Sequence, residues 1–126
     1  MYEHLFSPIT VNSTEIKNRI AYPALGLLYS YDGKLNERYY SYFQEKARGG
    51  AGIVTVGPVG IDKAGSGFIA LSLAKDENVE PFSRLASLIQ SEGARAWVQL
   101  FHAGAYSFSM LLEGERPMAP SAVFSK

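Results

Sequence analysis

The stretch Ile53-Val54-Thr55-Val56 constrains the fold most: four β-branched residues in succession, with Gly52 before them and Gly57 after. Such a run reads as a strand covered on both faces, the setting of a parallel sheet. Parallel strands need a crossover between them, and helices fit on either side of this run. Before it, Asn36 is a good N-cap and Glu37 falls in the first turn, while Tyr39, Tyr40, Phe43 and Ala47 make a stripe at helical spacing. Lys46 and Arg48 occupy the last turn and Gly49-Gly50 ends it. After the run, Phe82, Leu85, Ala86 and Ile89 form one face of a helix over 80–91, with Asn78 as a candidate cap and Gly93 closing it.

Two further strands follow from the same logic. Arg19-Ile20-Ala21-Tyr22 is extended and stops at Pro23, and Ala94 to Leu100 reads as a third buried strand. Ahead of them, residues 5–11 and 14–17 flank the turn-prone Asn12-Ser13, which predicts a small β-hairpin. Residues 57–73 read as a long loop carrying Gly57, Gly60, Gly65 and Gly67, and 101–126 read as loop. The expectation is strands at 19–22, 52–56 and 95–100 with helices at 36–48 and 79–92, an α/β chain with a parallel sheet. A doubly wound sheet and a (β/α)8 barrel both satisfy it. The long loops follow strands and the connections after helices are tight, which favours the barrel and a sequential strand order. A TIM barrel takes about 250 residues, so residues 1–126 are expected to form an incomplete, N-terminal portion of one, about three of its eight βα units, preceded by the hairpin.

Composition excludes several functions. Twelve basic and twelve acidic side chains give zero formal net charge, against a nucleic-acid binder. No apolar run approaches the ~18 residues of a membrane span, and Met1-Tyr2-Glu3-His4 opens no secretory signal, so a cytoplasmic protein is expected. Cysteine is absent, which removes disulfides and thiol catalysis from these residues, and two histidines, His4 and His102, predict no zinc site.

The strand ends gather Pro23-Ala24-Leu25-Gly26, Gly57-Pro58, and Gln99 with His102-Ala103-Gly104. These are small residues, backbone amides and one carboxamide, a surface suited to a flat, uncharged, amide-rich ligand. A flavin ring has an N–H between two carbonyls on its pyrimidine edge. Gln99 carries a donor and an acceptor to match, and Gly57 has no Cβ to hold a ring away. Spacing alone equally allows Gln99 an ordinary hydrogen-bonding role at a sheet end. His102 reads as a loop anchor before a ring-edge donor, and Tyr39, Tyr40, Tyr42 and Phe43 as a helix face packed on a sheet. Gly65-Ser66-Gly67 lacks the lysine and context of a phosphate loop. Glu113-Gly114-Glu115-Arg116 reads as a solvated loop tip, and Asp62 and Asp76 have no evident acid–base partner.

Leu5-Phe6-Ser7-Pro8-Ile9, Lys17-Asn18-Arg19-Ile20, Asp32-Gly33-Lys34-Leu35, Gln99-Leu100-Phe101-His102-Ala103-Gly104 and Ala119-Pro120-Ser121-Ala122-Val123 occur in this order. Together they resemble the N-terminal third of the old yellow enzyme family, on the side of the 2,4-dienoyl-CoA reductases. The resemblance implies an FMN-bearing (β/α)8 oxidoreductase of ene-reductase type. NADH or NADPH would be the reductant and an activated alkene the substrate. It also implies that Pro23, Ala24, Leu25 and Gly26 lie against the flavin, that Gly57 meets the ring, and that Gln99 pairs with its edge. Tyr29 or Tyr31 would face substrate. The family often has Ser-Pro-Met near Pro23-Ala24-Leu25, a Thr, Cys or His at Gly26, and an Arg at Ala105. Its catalytic residues and phosphate-binding loops match positions beyond residue 126. This chain alone is therefore expected to be inactive. The alternative is a non-catalytic barrel module that associates with itself or another chain through open strand edges.

Overall fold

The computed structural model describes residues 2–65 and 71–122. Strands β1 (Ile9–Val11) and β2 (Thr14–Ile16) pair antiparallel, with Asn12 left-handed at φ 54° in the two-residue turn. Then come β3 (Ala21–Tyr22), helix α1 (Glu37–Arg48), β4 (Ile53–Gly60), β5 (Leu71–Ser72), helix α2 (Val79–Ser91) and β6 (Arg95–Phe101). The parallel sheet has β4 at its centre, with β3 on one side and β6 on the other. A doubly wound reversal would have set the last strand beside the first, so the sequential order expected of a barrel holds. The hairpin and both helices also lie where the sequence places them.

Four expectations need correction. The second strand does not stop at Val56 but runs to Gly60. Pro58 has no N–H to give the ladder, and the pairing with β6 shifts register between Val56 and Val59 instead of ending. The expected loop over 57–73 thus contains the end of β4 and also β5, which pairs with Val59 and Gly60 on the β3 side. Ser66 and Gly67 lie outside the described residues, as does Val123. Asn78 precedes α2 but its side chain does not cap it; the amide donates instead to the Ser72 carbonyl at 2.9 Å.

The fourth correction concerns burial. Among the described residues the sheet is covered on one face only. Val54, Val56 and Val59 are buried against Tyr39, Tyr40, Phe43 and Ala47 of α1 and Leu85 and Ile89 of α2. Strand periodicity places Ala21, Ile53, Thr55, Arg95, Trp97 and Gln99 on the opposite face, and β6 is largely exposed. In a closed barrel that second face is the interior, which explains an apolar run on a strand that here is half covered.

The helix-covered face is rich in tyrosine. Tyr22 and Tyr42 share a hydroxyl hydrogen bond of 2.6 Å, and burial with that bond pushes the Tyr22 phenol up to about 12. At the opposite end of the strands the hairpin is tied to the tight turns. Lys17 donates to the Glu92 carbonyl at 3.0 Å, and Arg95 donates to the Glu15 carbonyl at 2.7 Å. Asn18, buried, accepts from the Ile20 amide at 3.0 Å and donates to the Gly50 carbonyl at 2.8 Å. A Cβ at Gly52 would lie 2.6 Å from the Asn18 oxygens, so this corner accepts only glycine. The Lys17-Asn18-Arg19-Ile20 motif is therefore a structural joint.

Candidate functional site

Three segments that are remote in sequence meet at the C-terminal ends of β3, β4 and β6. The register shift in β4 sets Gly57 and Pro58 opposite Gln99. Gly57 is buried at φ 153°, and a Cβ there would fall 2.9 Å from Gln99 Cβ and 3.1 Å from its carbonyl oxygen. The close approach of the two strands needs glycine. A Cβ on Gly26 would lie 3.7 Å from Pro58 Cδ, so the turn after β3 reaches the same place. Pro23, Leu25 and Gly26 are exposed, Ala24 half-buried. Gln99 is exposed on the uncovered face.

The chemistry offered there is neutral. The Gln99 carboxamide can give one hydrogen bond and accept another, side by side, and the residues around it are small or apolar. That donor set fits the imide edge of a flavin. It has no charged group to discourage a neutral ring, and the space a Gly57 Cβ would take is filled by Gln99, which sets the two strands close together.

The structure separates the two tyrosines of the loop after β3. The Tyr29 ring packs against Tyr39 at 5.2 Å and Tyr42 at 5.8 Å between centroids, with the Arg38 guanidinium 3.8 Å above it. It is committed to α1. Tyr31 is 83% exposed and lines a cavity of about 430 Å³ with Ser30, Asp32, Lys34, Leu35 and Asn36. The Ser30 hydroxyl oxygen is buried and takes no hydrogen bond among the described residues. Nothing in the sequence marks it, because a lone serine in a loop carries no pattern. Asn36 caps α1 as expected, accepting from the Arg38 and Tyr39 amides at 3.1 and 3.3 Å.

His102 anchors its loop. Its Nδ1 accepts from the Gly104 amide at 2.9 Å, and its Nε2 lies 3.7 Å from Asp62. Asp62 also accepts the Gly65 amide, so its carboxylate sits between the two loops. Glu113 pairs with Lys63 at 2.6 Å, which ties the expected free loop tip to the loop after β4. Among the described residues no cluster of three acidic, His or Cys side chains is placed to hold a metal, and no helix is long and apolar enough to cross a membrane.

Comparison with known proteins bears on the family and the fold. The family model described as NADH:flavin oxidoreductase / NADH oxidase matches residues 4–126. A metal reductase of Desulforamulus reducens is 36% identical over 122 residues, 97% of this chain and 18% of that protein. A solved 2-naphthoyl-CoA reductase complex superposes with a TM-score of 0.88 at 28% identity, covering 98% of this chain and 21% of that one. The old yellow enzyme homologue of Zymomonas mobilis gives a TM-score of 0.83 at 29% identity, covering 94% of this chain and 33% of that one. The chain thus spans a third or less of each of these relatives.

Proposed function

The chain belongs to the NADH:flavin oxidoreductase / NADH oxidase family, whose flavin is FMN and whose reductant is a nicotinamide, and on that premise we propose that these residues form the ring-facing part of an FMN-dependent ene-reductase. The observation that carries the proposal is the Gly57–Gln99 approach, so close that a Cβ on Gly57 would fall 2.9 Å from Gln99 Cβ and 3.1 Å from the Gln99 carbonyl oxygen. Gln99 would hold the pyrimidine edge through its carboxamide. Gly57 and the turn Pro23–Gly26 would give the ring a flat bed, and β4 and β6 would fix their separation. Bound there, FMN would supply hydride transfer between NADH or NADPH and an activated alkene. Tyr31 would face substrate from its own cavity, which Ser30, Asp32, Lys34 and Asn36 also line.

The 126 residues by themselves are proposed to bind the ring weakly and not to turn over. A phosphate needs clustered amides or cations, and the alkene needs an acid for its α-carbon. The residues gathered around Gln99 are neither. Titration of the chain with FMN, followed by quenching of flavin fluorescence, tests the site. Gln99→Leu should weaken binding by about 1–3 kcal/mol, the penalty for unpaired polar groups. Equal affinity for both variants would refute the role of Gln99. NADH oxidation with 2-cyclohexenone and added FMN should stay at the no-protein level.

A second proposal rests on β6. Its outer edge has no strand partner among the described residues, and Trp97 and Leu100 are 46% and 61% exposed. Unpaired apolar edges recruit other strands. We propose that the chain alone self-associates through this edge. A lysine at Trp97 should shift sedimentation towards monomer; unchanged association would count against the edge.

A further inference from the structure

We propose that His102 is a positioning residue, which locks the loop after β4 to the loop after β6 and so holds Gln99 against Gly57. The purpose of the lock rests on the ring-binding role of Gln99, but the lock itself is a matter of this chain's own geometry. β6 ends at Phe101, and the chain turns at once through His102, Ala103 and Gly104, where Gly104 is left-handed at φ 58°. The Gly104 amide donates to Nδ1 of the imidazole, which closes the turn on its own side chain. Because Nδ1 is an acceptor, the ring proton of neutral His102 belongs on Nε2. Nε2 points towards Asp62 Oδ1, 3.7 Å away, and the same carboxylate takes the Gly65 amide.

The other strand's loop is fitted to this ring. A Cβ on Gly65 would come 2.5 Å from His102 Cδ2, so the backbone of residue 65 lies directly against the imidazole. Around that contact, Ala103 donates to the Gly65 carbonyl at 2.8 Å and the buried Ser107 donates to the Ala64 carbonyl at 2.9 Å. Lys63 and Glu113 pair at 2.6 Å on the outside. Both loops spring directly from the strands that carry Gly57 and Gln99. Beyond the bulge only Val59–Leu100 and Gly60–Phe101 continue the pairing of β4 with β6, and the loop contacts extend that short stretch past the strand ends. His102 lies at the centre of those contacts, three residues from Gln99.

The test separates the two nitrogens by substitution. Asparagine places an oxygen where Nδ1 stands, and glutamine reaches the position of Nε2. Backbone amide hydrogen exchange is measured by NMR on the full chain, without flavin. In His102→Ala, exchange at Leu100, Ala103 and Gly104 should rise roughly fivefold, the effect of one lost hydrogen bond, with the hairpin unchanged. His102→Asn should restore Gly104 but not Ala103, and His102→Gln the reverse. This contrast decides the matter even if the alanine variant does not fold. Equal acceleration in hairpin and loops for both amide variants, or an unchanged Leu100 in all three, would overturn the proposal. Failure of FMN to bind would overturn the function proposed above and leave the lock to be judged by exchange alone.

Discussion

Replacing Gly57 with alanine should damage this fold in two separable ways. The first is conformational: a residue with Cβ at φ 153° sits where side chains rarely go, which costs about 1–3 kcal/mol. The second is steric. The new methyl would lie 2.9 Å from Gln99 Cβ and 3.1 Å from the Gln99 carbonyl oxygen, well inside ordinary contact, and its neighbours are strands that cannot swing away. Overpacking of this kind costs about 1–3 kcal/mol more. Gly50 provides the control. It is also left-handed, at φ 101°, but nothing lies within 4 Å of its Cβ position. Gly50→Ala therefore carries the conformational part alone, and the loss of unfolded-state freedom is common to both variants. Urea unfolding, followed by the fluorescence of the single tryptophan, Trp97, reads the difference. With a slope of about 1–3 kcal/mol per molar for a small domain, the Gly57→Ala midpoint should fall about 1 M below that of Gly50→Ala. Equal midpoints, or a more stable Gly57 variant, would refute the claim that β4 and β6 touch at this point.

Asn18→Ala removes an acceptor for the Ile20 amide and a donor for the Gly50 carbonyl in a buried corner, and should destabilise by about 2–3 kcal/mol in the same urea assay. Glu92 is held below the usual carboxylate range, chiefly by the Gln44 amide and then by Arg48. Its folded form binds a proton less readily than its unfolded form. Its contribution is present above the unfolded-state value and is lost as pH falls through the lower folded-state value. Glu92→Gln should flatten the acid limb of a stability–pH curve, and an unchanged limb would remove Glu92 from the account.

Much of this fold was legible because local signals agree with one another. Asn36 with the Tyr39, Tyr40, Phe43 and Ala47 stripe located α1 within a residue. The hairpin followed from two extended runs about a turn, and strand order followed from which loops are long. The misplaced features each depend on something distant. Gly57-Pro58 looks like a strand end because both residues break local structure, yet Leu100 and Phe101 on the neighbouring strand take up the pairing again at Val59 and Gly60. Asn78 has the residue type of a cap but finds a better acceptor at Ser72. The run Ile53–Val56 records burial on two faces, one of which these 126 residues leave open. At the site, residue types pointed to Gly57 and Gln99, and contacts invisible in the sequence brought them together. The separation of Tyr29 from Tyr31 was not readable, since it turns on which ring the α1 aromatics capture.

The most direct measurement is an NMR titration of the chain with lumiflavin, the flavin ring without its phosphate chain. Besides the Gly57–Gln99 junction, a ring could rest in an apolar groove of about 300 Å³ between α2 and the sheet, lined by Phe82, Ala86, Ala96 and Val98. If the site is as described, the largest shifts fall on the Gln99 side-chain amide, on Gly57, and on the Ala24–Gly26 amides, and Gln99→Leu abolishes them. Shifts confined to Phe82, Ala86 and Val98, with the Gln99 carboxamide unmoved, would contradict it.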